Sequence, residues 1–246
     1  MNWFQELLAN PALTEALPEA FVETLVMVGI AGVFTLVIGL ALGVILHVTA
    51  PGGLRPVPWV HVLLSSVINI TRSIPYAILM VALIPFTAWL VGTSIGPIAA
   101  CVSLTIGTAP FFARLVETSL REVPSGTVDA ARVMGSTRGQ IVRKVLLPEA
   151  MPGLVASITT TLVMLVGYSA MAGLIGGGGL GRLAYNYGYQ RFDTAVMIAT
   201  IVIMVILVQA LQWIGDAVAR RVDHRSAATA GSKKARRHEP ATTIGV

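Results

Sequence analysis

Residues 129–148 read DAARVMGSTRGQIVRKVLLP, a polar and cationic stretch of helix-forming composition between long apolar runs. Gly135 lies where a C-cap glycine would end a first helix, and Ser136 or Thr137 can cap a second. Pro148 is expected to stop that second helix. Two short helices joined by a glycine turn form a compact element, which predicts a docking surface for another protein. The alternative is a hairpin that merely connects two spans.

The docking interpretation rests on small side chains beside positive charges. Ala130, Ala131 and Met134 have helical spacing and give the first helix a small apolar face that a partner can approach closely. Cations on both helices can meet acidic groups of that partner. They are Arg132, Arg138, Arg143 and Lys144.

The composition places the chain among membrane proteins. Of its 246 residues 55% are hydrophobic and 12% charged, and the mean hydropathy is +0.78. Soluble domains carry about 25% charged residues. Long continuous apolar runs predict an all-α, polytopic protein and disfavour a β-barrel, whose strands alternate. The single cysteine, Cys101, excludes an intrachain disulfide, and we expect it to be a small buried residue rather than a metal ligand.

Five spans are predicted, one of them irregular because Pro75 and Pro85 interrupt it. They cover residues 21–46, 59–86, 98–115, 153–174 and 192–214. Together they form one membrane domain, residues 21–220, with the polar segment 117–150 inserted between the third and fourth spans. Four glycines of the first span fall on nearly one helix face, where another helix can approach closely. They are Gly29, Gly32, Gly39 and Gly43.

Two polar stretches flank the membrane domain. Residues 1–20 resemble a short amphipathic helix that Pro11 and Pro18 break, and it is expected at the membrane surface. Residues 221–246 form a basic tail of disordered composition, expected near anionic lipid headgroups.

The distribution of basic residues predicts the orientation. The first 54 residues contain no Lys or Arg, whereas seven of the 17 lie at or beyond Arg220 and six lie between Arg114 and Lys144. By the positive-inside rule, the N-terminus is expected outside and the C-terminus in the cytoplasm. The same asymmetry argues against nucleic-acid binding.

The polar segment also carries a specific spacing, DAA-x3-G-x9-V-x-LP. It resembles the signature loop of ABC importer permeases, EAA-x3-G-x9-I-x-LP. The two departures, Asp129 for Glu and Val145 for Ile, keep charge or shape. The resemblance extends over about residues 20–220, where NITRSIPYAILM, GTSIG, APFFARLVETSL, IVRKVLLPEAMPGLV and LVGYSAM…GGGGLGRLAYNYGY are similar to the methionine-importer permeases.

The resemblance implies a type I importer permease fold with five spans per subunit, in a bacterial inner membrane. It implies a homodimer that works with two cytoplasmic ATPase subunits and an extracytoplasmic substrate-binding lipoprotein. The ATPase-coupling role falls on the matching positions Asp129, Ala130, Ala131, Gly135, Leu147 and Pro148. Asp129 is expected to meet a basic group or backbone donors of the ATPase. Because the chain lacks GxxxxGK[ST], ATP and Mg²⁺ belong to a separate chain, and this one is a transporter subunit without a cofactor.

Two other functions stay open at this stage. The same machine can carry another amino acid or a small peptide. An ion-coupled secondary transporter would need ionisable residues deep in the spans and an internal repeat. Arg72 is the single candidate, and it has two interpretations. Either it has a function within the membrane, or its side chain snorkels to the cytoplasmic interface or caps a helix break before Pro75. No arrangement of residues resembles a catalytic site or a metal site. Glu117 and Glu122, five apart beside basic residues, are expected to be solvated or interfacial charges.

Two further groups of residues are candidates for contacts with substrate or partner. Tyr168, Ser169 and Met171 either line the transport pathway or pack between helices. Tyr185, Asn186 and Tyr187 either contact the binding protein or belong to an interfacial aromatic belt. The glycine run before them, residues 176–181, is expected to be a flexible or closely packed outer loop rather than a phosphate site.

Overall fold

The computed structural model describes residues 11–222, and within that range every regular element is helical. The predicted basic tail and the first half of the predicted amphipathic segment lie outside the described residues. In chain order the helices are α1 (Leu17–Thr49), α2 (Pro58–Ser73), α3 (Tyr76–Ala82), α4 (Ile84–Val91), α5 (Pro97–Arg121), α6 (Ser125–Val133), α7 (Arg138–Ile141), α8 (Met151–Ala172), α9 (Gly179–Leu183) and α10 (Thr194–Val222).

Four of the described helical stretches are long and apolar enough to cross a membrane, namely Ala12–Thr49, Pro97–Arg121, Met151–Gly177 and Thr194–Val222. The pair α2 and α3 passes the same test jointly but is bent by 103°. The five predicted spans therefore correspond to four continuous helices and one broken pair. The break follows from Pro75, which has no N–H to donate and holds Ile74 in an extended conformation with ψ 125°.

Two expected helix breaks are absent, so those predictions were wrong. The helix runs through Pro18 because a π turn, Ala12–Ala16, precedes it. The second helix of the polar segment likewise runs through Pro148 to Glu149, after the π turn Val142–Leu146. In each turn the Leu that precedes the proline donates its N–H five residues back. The wider turn accommodates a proline, which cannot donate to the usual carbonyl four residues back.

The interface between α1 and α5 is the most extensive in the fold. Three of the four predicted small-residue positions lie in interfaces of α1, because a Cβ at Gly39 or Gly43 would press on the α5 backbone and one at Gly32 would meet Leu162 of α8. Gly29 faces open space instead. Glycine thus allows α1 and α5 to approach closely, as expected for membrane helices.

A buried core joins α1, α3, α5 and α8. Met27, Leu104 and Leu165 are fully buried there, and Cys101 is buried beside them as predicted. Helix α10 packs on α8 at one side and remains mostly exposed. The bundle therefore holds the α2–α3 break against the middle of α5 and α8.

Candidate functional site

The polar segment, residues 117–150, starts in the last turn of α5, which ends at Arg121. Helix α6 ends at Val133, and Gly135 follows with φ +79°, a conformation that favours glycine. Thr137 then caps α7: its hydroxyl accepts from the Gln140 N–H, and the Gln140 side chain accepts from the Thr137 N–H. The predicted arrangement of helix, glycine turn and capped helix is confirmed.

Three buried side chains of this segment pack against the membrane bundle. Ala131, Ile141 and Leu146 are 1–3% exposed and pack in one cluster with Phe112 and Leu120 of α5. Burial of a side chain the size of Ile or Leu contributes about 1.5–3 kcal/mol. The segment is therefore attached to α5 by packing.

The tip, at the Gly135 turn, exposes two large apolar side chains, of which Met134 was expected on the partner-facing side and Val133 was not identified from the sequence. Val133 and Met134 are 89% and 78% exposed, beside the Gly135 turn. Ala131 was expected on the partner-facing side together with Ala130, and that prediction was wrong. Neighbouring helix residues point about 100° apart, so Ala130 faces outward while Ala131 packs inward.

The remaining predicted coupling residues differ in exposure. Asp129 and Arg132 form an exposed ion pair at 3.3 Å, so the carboxylate has a partner within its own helix. Leu147 is half-buried against the cluster, whereas Pro148 is exposed. An exposed pair of this kind contributes little stability. Asp129 and Pro148 are thus accessible from outside the chain.

An acidic side chain buried in α5 was assigned incorrectly from the sequence. Glu117 was expected to be a solvated or interfacial charge, but it is fully buried. Arg114 and Arg121, one turn away on either side, each donate to it at 2.5 Å. The spacing i−3 and i+4 was the available signal, because it places both cations on the carboxylate's face.

The same network ties α5 to α2. Arg114 also donates to the Ser65 hydroxyl at 2.8 Å and to the Asn69 side-chain oxygen at 2.9 Å. Glu117 neutralises a guanidinium that is only 23% exposed. The network therefore lets α2 and α5 pack through polar groups where both approach the polar segment.

A second candidate site lies at the break between α2 and α3. Tyr76 of α3 stacks on Tyr168 of α8, with ring centroids 4.3 Å apart and planes 6° apart. Beside them a cavity of about 160 Å³ opens, and its lining includes Arg72 and Met164. The Arg72 guanidinium carbon lies 5.7 Å from the centre of the Phe111 ring.

The structure separates the three predicted pathway residues. Tyr168 lines the cavity. Ser169 is 1% exposed and its hydroxyl donates to the Val166 carbonyl, so it packs between helices instead of lining the pathway. Met171, one turn beyond Tyr168 along α8, is 37% exposed and does not line the cavity. No sequence pattern singled out Tyr76, which meets Tyr168 only through the fold.

At the opposite end of the bundle the glycine run packs closely, one of the two expected outcomes. Gly179 donates its N–H to the Glu23 carboxylate at 2.5 Å, and Leu180 donates to the Thr24 hydroxyl at 2.9 Å. A carboxylate of α1 thus occupies the backbone donors, which argues against a phosphate site. A Cβ at Gly173 would lie 2.5 Å from the backbone nitrogen of Arg182, so only glycine allows the chain at Gly173 and at Arg182 to approach this closely.

The aromatic residues that follow form a partly exposed surface. Tyr185 stacks with Tyr189 at 5.6 Å, and the Arg191 guanidinium lies 4.4 Å above the Tyr187 ring. Asn186, which follows Tyr185 and precedes Tyr187 in the sequence, is half-buried. Phe192, which sequence reasoning did not select, is 85% exposed and has a left-handed φ of +56°.

No group of three or more His, Cys, Asp or Glu side chains that suits a metal occurs among residues 11–222.

Comparisons with known proteins agree on one family. The model of the family described as binding-protein-dependent transport system inner membrane component matches residues 39–224. A probable D-methionine transport system permease protein of Vibrio cholerae is 55% identical over 203 residues, which are 82% of this chain and 90% of that protein. The methionine import system permease protein of Bacillus subtilis is 46% identical over 222 residues, or 90% and 100% of the two chains.

The solved structures give the same result. A chain of the MetNI methionine ABC transporter in an inward-facing conformation has a TM-score of 0.83 and 48% identity, and the match covers 91% of this chain and all of that one. A chain of an amino acid ABC transporter has a TM-score of 0.72 at 18% identity, which shows a likeness of fold alone.

Proposed function

The chain belongs to the family of binding-protein-dependent transport system inner membrane components, and from that premise we propose that it is the permease subunit of an ATP-driven methionine importer. The observation that carries the substrate is the identity of 46–55% to methionine permeases over 82–90% of this chain. Membership in this family argues against the ion-coupled alternative. If the substrate is instead another amino acid or a small peptide, a competition experiment would reveal it.

The polar segment supports the coupling to ATP. Two copies of the chain would each present the exposed tip, Val133 and Met134, to one of two ATPase subunits. Movement of the tip would pass to α5 through Ile141 and Leu146, which are buried against it. ATP and Mg²⁺ would act on the separate ATPase chains, and alternation between inward-facing and outward-facing states would follow from their closure.

The proposed orientation places the polar segment in the cytoplasm of a bacterial inner membrane. The N-terminus is then outside and the C-terminus, with the basic tail, is inside. The aromatic surface of Tyr185, Asn186 and Tyr187 lies at the other end of the bundle, where a substrate-binding lipoprotein would dock. Its mixture of rings and hydrogen-bonding groups suits a protein contact.

Reconstituted transport tests the substrate. The permease is assembled with its ATPase in liposomes, and ATP-dependent uptake of labelled methionine is measured with its binding protein present. Methionine uptake that unlabelled methionine abolishes, and that other amino acids and dipeptides leave unchanged, is the expected result. Uptake of a different amino acid or of a peptide, without methionine uptake, would overturn the proposed substrate.

A matched pair of glycine variants tests the coupling role. Gly135→Arg and Gly92→Arg both place a side chain at φ +79° with nothing within 4 Å, so the backbone strain is comparable. Only Gly135 lies at the proposed ATPase contact. We expect Gly135→Arg to weaken ATPase association at least about tenfold and to abolish uptake, with Gly92→Arg within about twofold of the unmodified chain. Unchanged association and uptake in Gly135→Arg would refute coupling through this turn.

A further inference from the structure

Arg72 lies at the middle of the membrane bundle, not at its surface end. It is in the last turn of α2, which enters from the end that carries the polar segment and stops at Ser73. The cavity that Arg72 lines is bounded by Gly107 and Phe111, near the middle of α5, and by Met164 in the middle of α8. The position of these residues along their helices puts the cavity at mid-depth.

Within residues 11–222 the Arg72 guanidinium has no acidic partner. The ion pairs formed within residues 11–222 use Arg114, Arg121, Arg132 and Arg182, and none of these pairs includes Arg72. The Arg72 side chain is exposed, and its guanidinium lies over the face of the Phe111 ring. A cation without an acidic partner is costly against hydrocarbon at this depth, which favours a position that faces a water-filled cavity rather than lipid.

The rest of the cavity is suited to an uncharged side chain. Apart from Arg72 and Thr71, its lining is aromatic and apolar, and it includes the Tyr168 and Phe111 rings and the Met164 thioether. Arginine binds a carboxylate through two parallel hydrogen bonds, and aromatic rings and thioethers suit a soft apolar group. A volume of about 160 Å³ is small beside the ~300–1,000 Å³ of drug-sized pockets. It fits a group of amino-acid size rather than a peptide.

The geometry points to an intramembrane subsite in which Arg72 receives the α-carboxylate of an amino acid in transit, while Phe111, Met164 and Tyr168 contact its side chain. The inference rests on the proposed function and names the residues that would recognise the substrate between the binding protein and the cytoplasm. The break at Pro75 ends α2 at Arg72 and so places the cation beside the cavity.

Transport measurements on the reconstituted importer test the role of the charge. Arg72→Gln is expected to lower methionine uptake at least about tenfold, with complex assembly and ATPase stimulation by the loaded binding protein within about twofold. Arg72→Lys, which keeps the charge, should retain uptake within about threefold. Arg55→Gln, an exposed arginine of the α1–α2 loop, is the matched control. Uptake by Arg72→Gln within twofold of the unmodified importer would overturn the subsite.

Cysteine labelling tests the subsite independently of methionine. The chain has a single cysteine, so Cys101→Ala provides a background for Arg72→Cys and for Ile206→Cys, an exposed position in the middle of α10. The probe is 2-sulfonatoethyl methanethiosulfonate, a membrane-impermeant anion. We expect the thiol at position 72 of the assembled complex to react at least about tenfold faster than that at 206. An equal or slower reaction at position 72 would overturn an aqueous subsite. If the unmodified importer did not take up methionine, only the proposed substrate would be overturned.

Discussion

The contact between α1 and α5 gives a sharp test of the packing that holds the membrane domain together. Gly43 lies at this contact, and a Cβ there would be 2.6 Å from both the Ala113 carbonyl oxygen and the Val116 Cβ. The first of these atoms belongs to the α5 backbone and cannot rotate away. Gly43→Ala therefore forces the two helices apart.

The separation is set by the distance at which ordinary van der Waals contact begins. That distance is 3.4 Å, so the helices must part locally by about 0.8 Å. A gap of ~0.5–1 Å forfeits a quarter to a half of the attraction of each atom pair. Overpacking of this kind costs about 1–3 kcal/mol, which is roughly a 5- to 150-fold change in the unfolding equilibrium, since ~1.4 kcal/mol is tenfold.

The assay is reversible unfolding of the purified permease by titration with dodecyl sulfate in mixed micelles, followed by tryptophan fluorescence. Gly29→Ala is the control in the same helix, because its Cβ would meet nothing within 4 Å. Alanine there gains about 0.5–1 kcal/mol of helix stability. The Gly43 variant should lose free energy of unfolding while the Gly29 variant does not. Equal shifts in the two variants would refute the argument from close helix approach.

Two further perturbations address the polar network and the exposed tip. Glu117→Gln removes the charge that Arg114 and Arg121 share, and because Arg121 is 57% exposed and can reach water, we expect the low end of the range for breaking a buried pair, about 3 kcal/mol. This loss of stability is measured by thermal unfolding of the complex, and Glu122→Gln, at an exposed position, is the control. An unchanged stability of the Glu117 variant would contradict the buried position of Glu117. Val133→Asp should weaken ATPase association at least about tenfold without changing the stability of the permease, because the side chain is 89% exposed. Association at the unmodified level would show that the tip does not bind the ATPase.

The local features of the polar segment were predictable from the sequence. Gly135 and the Thr137–Gln140 pair act through the backbone of their own turns, so residue type and spacing determine their conformation. Prolines were less informative. Pro75 does break a helix, whereas Pro18 and Pro148 lie in continuous helices. A π turn can accommodate a missing N–H, and residue type and spacing alone do not distinguish the two outcomes.

The membrane class, the approximate spans and the family follow from the sequence by itself, because continuous hydropathy and a fixed motif spacing are properties of the chain alone. Tertiary structure decided which side chains face inward and which distant ones meet. It buried Ala131 and exposed Val133, and it placed Arg72 in one cavity with Tyr168. Such contacts depend on the approach of helices far apart in the chain, and short-range propensities within one helical turn carry no information about that approach.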